Sequence, residues 1–118
     1  MASLVIKCTW GAERPEALMQ AFTVAATAAA SGVEVSLWLT GEASLLGIHG
    51  SDDVHLPHSP ALSELRDAIL DAGTITVCTQ CALRRDITAD DLLPGVRIAG
   101  AATFLEEVMA EGARSLVY

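Results

Sequence analysis

Two cysteines past the middle of the chain, Cys78 and Cys81, are the residues best suited to chemistry, and they form a Cys-x-x-Cys pattern. The β-branched run 74–77 before them predicts a buried strand. From Thr79 onward the residues favour a helix. The pair is therefore predicted on a strand-to-helix turn, where free backbone N–H groups favour a thiolate over a thiol. A thiolate at Cys78 would be nucleophilic near neutral pH.

Three other side chains could assist that sulfur or its substrate. Arg84 and Arg85 follow the cysteines and could add positive charge, although such arginines are also often solvated or paired with carboxylates. Trp10 could line the same edge of the sheet or form an oligomer contact. Cys78 itself could be a small buried hydrophobe. Cys81 could resolve an oxidised Cys78 into a disulfide, or it could simply pack under the helix.

A metal site is the second chemistry to weigh. Cys8 ends the first predicted strand, so all three thiols would gather at one edge if strands one and three were neighbours. A loop histidine could then complete a tetrahedral zinc site. The candidate histidines are His49, His55 and His58. Because the chain has a single Cys-x-x-Cys and its histidines lack regular ligand spacing, we expect no metal and no other cofactor.

The composition limits the class of protein. A chain of 118 residues, 52% hydrophobic and 4% aromatic, predicts one domain over 1–118 with an aliphatic core. The formal net charge of -8 disfavours binding to nucleic acid or to an anionic membrane. No secretory signal and no apolar run of roughly 20 residues is present. With an odd number of cysteines, these features predict a cytoplasmic protein.

Strand and helix patterns alternate along the whole chain. Short apolar runs predict strands at 3–8, 33–39, 74–77, 96–99 and 115–118. Helical patterns begin near Pro15, Thr40, Ser59, Thr79 and Gly100. This alternation implies an α/β fold, a single-domain, doubly wound and mainly parallel five-stranded sheet with helices on both faces.

Two segments carry more specific expectations. The second strand places Glu34 and Ser36 on one face and apolar residues on the other, which predicts partial exposure near an edge of the sheet. The segment 47–57 contains glycines, histidines and the pair Asp52 and Asp53, so we expect a mobile loop with solvated charges.

With these elements in place, the sequence resembles the DsrE/DsrF-like (TusD-related) sulfur-relay family, in a Cys-x-x-Cys variant. The resemblance covers nearly the whole chain. Besides the strand that ends in Cys78, it rests on Gly32-Val-Glu-Val-Ser-Leu-Trp-Leu-Thr-Gly-Glu42, Ala82-Leu83-Arg84-Arg85-x-Ile87, Asp90-Asp91-Leu92 and Pro94-Gly95-Val96-x-Ile98.

The resemblance implies a five-stranded doubly wound sheet and assembly into oligomers, often trimers or hexamers. It also implies that Cys78 carries a persulfide between a sulfur donor and an acceptor protein. Cys81 departs from the sulfur-relay branch, which tends to have a small residue at that position. The leading hypothesis is therefore an intracellular sulfur carrier or sulfurtransferase. Two alternatives stay open: an oligomeric binding or regulatory module without transfer chemistry, and a thiol-disulfide redox protein that uses Cys78 and Cys81.

Overall fold

The computed structural model describes residues 2–118, so the part of the domain prediction that concerns Met1 lies outside the described residues. The strands are β1 (Ser3–Cys8), β2 (Glu34–Leu39), β3 (Thr74–Cys78), β4 (Val96–Ala99) and β5 (Ala113–Val117). The α-helices are α1 (Pro15–Ala30), α2 (Leu62–Ala72), α3 (Thr79–Arg84) and α4 (Ala101–Val108). Where a short helix was expected after Thr40, the chain forms a 3₁₀ segment, Gly41–Gly47.

The strands form one parallel sheet in the order β4-β3-β2-β1-β5. Because every strand runs in the same direction, all five carboxyl ends meet at one edge, which we call the carboxyl edge. It is formed by the ends of the strands at Cys8, Leu39, Cys78, Ala99 and Val117. The expected α/β fold, with a five-stranded parallel sheet and helices on both faces, is confirmed.

One face of the sheet is covered by α1 and α2 and holds the apolar core. Strand residues such as Ile6, Leu37 and Ile75 alternate onto this face and are fully buried against α1 residues that include Leu18 and Phe22. Burial of each such side chain contributes about 1.5–3 kcal/mol. Within residues 2–118, no helix is both long enough and apolar enough to span a membrane.

The opposite face of the sheet is covered by α4. The Phe104 ring meets the buried Trp38 indole edge to face, with 5.3 Å between the ring centroids. Polar contacts also join α4 to the strands. Glu107 accepts hydrogen bonds from Ser36 Oγ at 2.5 Å and from Trp38 Nε1 at 3.0 Å, and it pairs with Arg97. The second face is therefore held by a polar cluster as much as by apolar packing.

The prediction that the second strand lies near an edge of the sheet is wrong. β2 is the central strand, paired with β1 on one side and β3 on the other. Its polar Ser36 faces α4, where the Glu107 carboxylate accepts its hydroxyl. The expected partial exposure is present, since Glu34 is exposed and Ser36 is partly exposed, but it occurs on a central strand whose Ser36 has a polar partner on a distant helix.

The segment before α2 is fastened to that helix by Asp53. One carboxylate oxygen of Asp53 accepts the Ser63 N–H at 2.9 Å, and the other accepts the Ser63 hydroxyl at 2.6 Å. These hydrogen bonds, the Ser63 hydroxyl above all, hold the pKa of Asp53 below its ordinary value against a small opposing effect of burial. Asp53 is exposed, as expected for a solvated loop charge, and it also caps the start of α2. α2 begins at Leu62 and not at Ser59 and Pro60, and Ala61 in the capping position offers no side-chain hydrogen bond.

Candidate functional site at the carboxyl edge

Cys78 is the last residue of β3 and the N-cap residue of α3. Its backbone is still extended, with φ -63° and ψ 132°, which is usual for the residue that precedes a helix. Ile75 and Val77 are buried in the core, so the alternation of the strand places Cys78 on the α4 side of the sheet. The thiol is free and its residue is partly exposed. Cys78 thus lies at the junction of a strand and a helix and has partial access to solvent.

The chain leaves β3 and β4 toward opposite faces of the sheet. After β3, α3 turns toward the α1 and α2 face, where Ala82 joins the core. After β4, α4 crosses the other face and contacts Trp38. A crevice opens outside the carboxyl ends of two parallel strands where their connections diverge in this way. Cys78 is at the end of one of these two strands, and its register partner Ala99 is at the end of the other.

Cys81 is in the first turn of α3, three residues beyond the capping position that Cys78 occupies. It is 8% exposed, and its sulfur accepts the Gly41 backbone N–H with an N–S distance of 3.2 Å. The structure therefore brings Cys78 and Cys81 to opposite ends of one helical turn. Cys78 is the accessible thiol of the pair, while Cys81 is enclosed between α3 and the 3₁₀ segment.

A second helix begins beside Cys78. Ala99 is followed by Gly100, the N-cap residue of α4, which makes no side-chain cap hydrogen bond. A Cβ atom at Gly100 would lie 3.6 Å from Thr79 Oγ1, so the start of α4 and the start of α3 are close together. The first N–H groups of a helix have no partner within that helix. Both helix starts lie near Cys78, although its own side chain makes no cap hydrogen bond with α3.

The two arginines predicted to assist the thiolate lie at the far end of α3. Arg84 is exposed in the last turn. The Arg85 guanidinium binds the Glu42 carboxylate at 2.9 Å and the Cys81 carbonyl oxygen at 3.2 Å. Neither guanidinium makes a hydrogen bond with Cys78 in the described part of the chain. Arg85 therefore fastens α3 to the 3₁₀ segment, and assistance to Cys78 by either arginine remains a prediction.

Trp10 is in the loop after β1, also at the carboxyl edge. Its indole ring is 40% exposed, and the Arg14 guanidinium stacks over it at 4.5 Å from the ring centroid. The neighbouring Gly11 is packed so closely on Glu42 that a Cβ atom there would be 2.7 Å from the Glu42 carbonyl oxygen. The loop of Trp10 is thus in contact with the 3₁₀ segment that donates a hydrogen bond to Cys81.

A family model covers nearly the whole chain, including the strand-to-helix turn 78–81, which we call the cysteine turn. The model of the DsrE/DsrF-like family matches residues 3–118. The chain belongs to this family. That membership confirms the family resemblance seen in the sequence and supports a general role in handling sulfur, while a search of curated proteins finds no match.

Two solved structures show how widely the DsrE/DsrF-like fold is kept. The chain is similar to the crystal structure of the ychN protein from E. coli, with a TM-score of 0.84 at 17% sequence identity, over 100% of both chains. It is also similar to the structure of MTH1491, a protein of unknown function from Methanobacterium thermoautotrophicum, with a TM-score of 0.75 at 13% identity, again over 100% of both chains. At these identities the likeness shows the shared fold alone.

In this DsrE/DsrF-like chain the third cysteine is separate from the pair. β2 lies between β1 and β3. These two strands are therefore not neighbours, and the condition for gathering all three thiols is not met. Cys8 is fully buried, and this burial raises the pKa of its thiol to about 11. A backbone hydrogen bond at Trp10 acts in the opposite direction and lowers that pKa, while the Glu13 charge raises it. Cys8 is thus a core residue.

The three histidines are exposed on the DsrE/DsrF-like domain. His49, His55 and His58 lie in the segment that joins the 3₁₀ segment to α2. His55 Nε2 is 3.7 Å from an Asp53 carboxylate oxygen. Over residues 2–118, no three or more histidine, cysteine or acidic side chains are grouped closely enough to hold a metal ion.

Gly41 and Glu42 are the residues of this site that sequence reasoning missed. Both follow the end of β2, at the edge that parallel strands share, and this topological position could have indicated them. Their contacts with Cys81 and Arg85 join residues about forty positions apart in the chain. No local pattern encodes a contact of that kind.

Proposed function

We propose that this DsrE/DsrF-like protein carries sulfane sulfur as a persulfide on Cys78 and transfers it to a thiol of an acceptor protein. The observation that carries the proposal is the position of Cys78, partly exposed where the connections of β3 and β4 diverge. The two helix starts near Cys78 support it, because the first N–H groups of a helix have no partner within that helix and can donate to an anionic sulfur.

The transfer needs no external oxidant or reductant. The Cys78 thiolate attacks the terminal sulfur of a donor persulfide, and a new S–S bond forms as the bond between that sulfur and the donor breaks. The donor leaves as a thiolate. The acceptor thiolate then attacks the outer sulfur in the same manner and regenerates the Cys78 thiolate, so the oxidation state of the carried sulfur is preserved. The exposed position of Cys78 suits a large protein donor or acceptor.

Intact-protein mass spectrometry after incubation with a persulfide donor tests this function. We expect the Cys81→Ser variant to gain one sulfur atom, and Cys78→Ser to gain none. Cys8→Ala is the matched control, because it removes a buried thiol and leaves the cysteine turn intact. A gain of sulfur by Cys78→Ser, or no gain by any variant, would refute carriage on Cys78.

A second candidate function, an oligomeric binding module, is favoured by an apolar patch on α4 and β5. Leu105 of α4 and Met109, the C-cap residue of that helix, are 60% and 74% exposed, and Val117 of the edge strand β5 is 68% exposed. Exposed apolar clusters of this kind commonly mark protein contacts. We propose that the patch mediates self-association, as the trimers or hexamers of the family imply. Both functions can reside in the same assembly, because the patch does not include Cys78.

Light scattering after size-exclusion chromatography tests self-association. Leu105→Glu should reduce the molar mass of the particle, since a charge is placed within the patch. Leu83→Glu is the control, because Leu83 is similarly exposed, at 70%, but belongs to α3. Equal masses for the wild-type protein and Leu105→Glu would argue against this interface. Loss of sulfur uptake in Cys78→Ser, with no change in the molar mass of the particle, would separate the two functions.

A further inference from the structure

The arrangement of Cys81 indicates a chemical task that differs from that of Cys78. We infer that Cys81 discharges the persulfide of Cys78: it forms a Cys78–Cys81 disulfide and releases the carried sulfur as hydrosulfide. This inference rests on the proposed function, since it requires a persulfide on Cys78. It adds a second outcome for the same sulfur, release as a small anion in place of delivery to an acceptor protein.

The two thiols are three residues apart at the start of α3. Cys78 occupies the capping position and Cys81 the third position of the helix. Side chains three residues apart at a helix have Cβ atoms about 5–6 Å apart. A disulfide requires about 3.5–4.5 Å between Cβ atoms. The extended backbone of Cys78 lies outside the regular hydrogen bonding of the helix, so a small rotation there can close the remaining distance.

The two cysteines differ in their accessibility to solvent and to other proteins. Cys81 is 8% exposed and is covered by the 3₁₀ segment, whereas Cys78 is partly exposed. A protein acceptor can therefore approach a persulfide on Cys78 but not the Cys81 sulfur. Within the fold, the persulfide on Cys78 is the electrophile that Cys81 can reach. Cys81 is thus suited to an intramolecular reaction.

A hydrogen bond from the 3₁₀ segment holds the Cys81 sulfur. The Gly41 N–H donates to this sulfur at 3.2 Å, and a donor of this kind stabilises the negative charge that the sulfur must carry to attack. The Arg85 guanidinium holds the Cys81 carbonyl oxygen and the Glu42 carboxylate together. Gly41 and Glu42 are adjacent, so the hydrogen bond and the ion pair fix the same piece of backbone against α3. The attacking sulfur is therefore positioned before any substrate binds.

The atoms and electrons of the reaction balance within the protein. The Cys81 thiolate attacks the inner sulfur of the Cys78 persulfide, the Sγ atom. The bond between the two Sγ atoms forms, and the bond from Cys78 Sγ to the outer sulfur breaks. The outer sulfur leaves with the electron pair as hydrosulfide. It is reduced, while the two cysteines are oxidised to a disulfide. A dithiol reductant must then reduce that disulfide before the next cycle.

The test follows the sulfur in a single turnover. Fully reduced wild-type protein and its Cys81→Ser variant are incubated briefly with inorganic polysulfide under nitrogen and freed of the reagent by gel filtration. Intact masses and dissolved sulfide are then measured over time. We expect the wild-type protein to lose the added sulfur, release one hydrosulfide per chain and end two hydrogens lighter. Cys81→Ser should retain the persulfide at least about ten times longer, as expected for loss of a preorganised thiol.

A second substitution separates chemistry from structure. Serine at position 81 can still accept the Gly41 N–H, whereas alanine cannot, so Cys81→Ala measures the structural share of that contact. Both variants should retain the persulfide if Cys81 acts by attack. Retention by Cys81→Ala with normal discharge by Cys81→Ser would overturn the inference.

Two further outcomes distinguish the inference from the function on which it rests. A wild-type persulfide that persists as long as that of Cys81→Ser, with no disulfide, would overturn discharge by Cys81 and leave sulfur carriage on Cys78 standing. Failure of both proteins to take up sulfur would overturn carriage, and the discharge inference with it. A control incubation without polysulfide should leave both thiols free. That result excludes formation of the disulfide by residual air.

Discussion

The indole Nε1 of Trp38 on β2 donates a hydrogen bond of 3.0 Å to the Glu107 carboxylate on α4. The same carboxylate accepts the Ser36 hydroxyl and pairs with Arg97, whose Nε donates to the buried Thr76 hydroxyl at 2.7 Å. No residue of α4 is fully buried, so this polar cluster is a main attachment of the helix to the sheet. Because α4 starts beside Cys78, its attachment also bears on the cysteine turn.

Substitution of Glu107 should destabilise the protein. Glu107→Gln keeps an oxygen that can accept from Ser36 and Trp38 but loses the ion pair with Arg97, so we expect a loss of about 1 kcal/mol in the free energy of unfolding. Glu107→Ala leaves these donors without a partner and should cost about 3 kcal/mol. Urea denaturation measures both changes. The exposed neighbour Glu106→Gln is the control and should change the stability little; an equal loss there would contradict the role of the cluster.

The same carboxylate should make stability depend on pH in the acid range. Burial by itself would raise the pKa of Glu107, but the hydrogen bonds from Ser36, Trp38 and Arg97, together with the Arg97 charge, hold it below the ordinary value of 4.5. A carboxyl group with a lowered pKa in the folded state stabilises the fold above its ordinary pKa. This contribution is lost as the pH falls through the folded-state pKa.

We therefore expect the free energy of unfolding to fall as the pH is lowered below about 4.5, and to fall less steeply in Glu107→Gln. Urea denaturation at a series of pH values measures the two slopes. Asp53 also has a lowered pKa, but its side chain is somewhat more exposed, so Asp53→Asn should alter the slope less. Identical slopes for the wild-type protein and Glu107→Gln would show that Glu107 does not provide this linkage.

Alkylation by iodoacetamide should distinguish the three cysteines. Cys78 is partly exposed and should react first, whereas Cys81 is enclosed by the 3₁₀ segment and should follow. Cys8 is buried with a pKa of about 11, so at pH 8 only about one thiol in a thousand would be ionised, and it should react only on unfolding. Peptide mapping by mass spectrometry gives the order. A folded protein in which Cys78 resists modification would contradict its proposed role.

The cysteine turn could be predicted from the sequence because its signals are local. The β-branched residues 74–77 fix a buried strand, and the helix formers after Cys78 fix the turn at that residue. The strand and helix alternation likewise determines the parallel sheet. These features depend on neighbouring residues, and the structure reproduces them within a few positions.

The contacts that surround the turn depend on chain topology and could not be predicted in the same way. Ser36 indicated an exposed edge because its partner, Glu107, is supplied by a helix 71 residues later. A carboxylate partner for Arg85 was one of the expected alternatives, but that this partner is Glu42, after a different strand, does not follow from the neighbouring residues. Sheet order decides which of these groups meet, and one sequence does not contain the sheet order explicitly.

A final prediction concerns Gly100, the residue between β4 and α4. Its φ of -108° is an extended value that any residue can adopt, and a Cβ there makes only an ordinary contact of 3.6 Å with Thr79. Asparagine or aspartate at this position should therefore fit and cap α4 in place of glycine. Either change should stabilise the protein by about 0.5 kcal/mol, measured by urea denaturation.

The two substitutions should differ at Cys78, although they have the same shape. Gly100→Asp places a negative charge beside the cysteine turn, which opposes a thiolate or persulfide there, whereas Gly100→Asn occupies the same space without charge. We expect the aspartate variant to react with iodoacetamide about two to five times more slowly than the asparagine variant at neutral pH. The difference should shrink in high salt, because added ions screen exposed charges. Equal rates for both variants at low salt would show that the start of α4 does not influence the Cys78 sulfur.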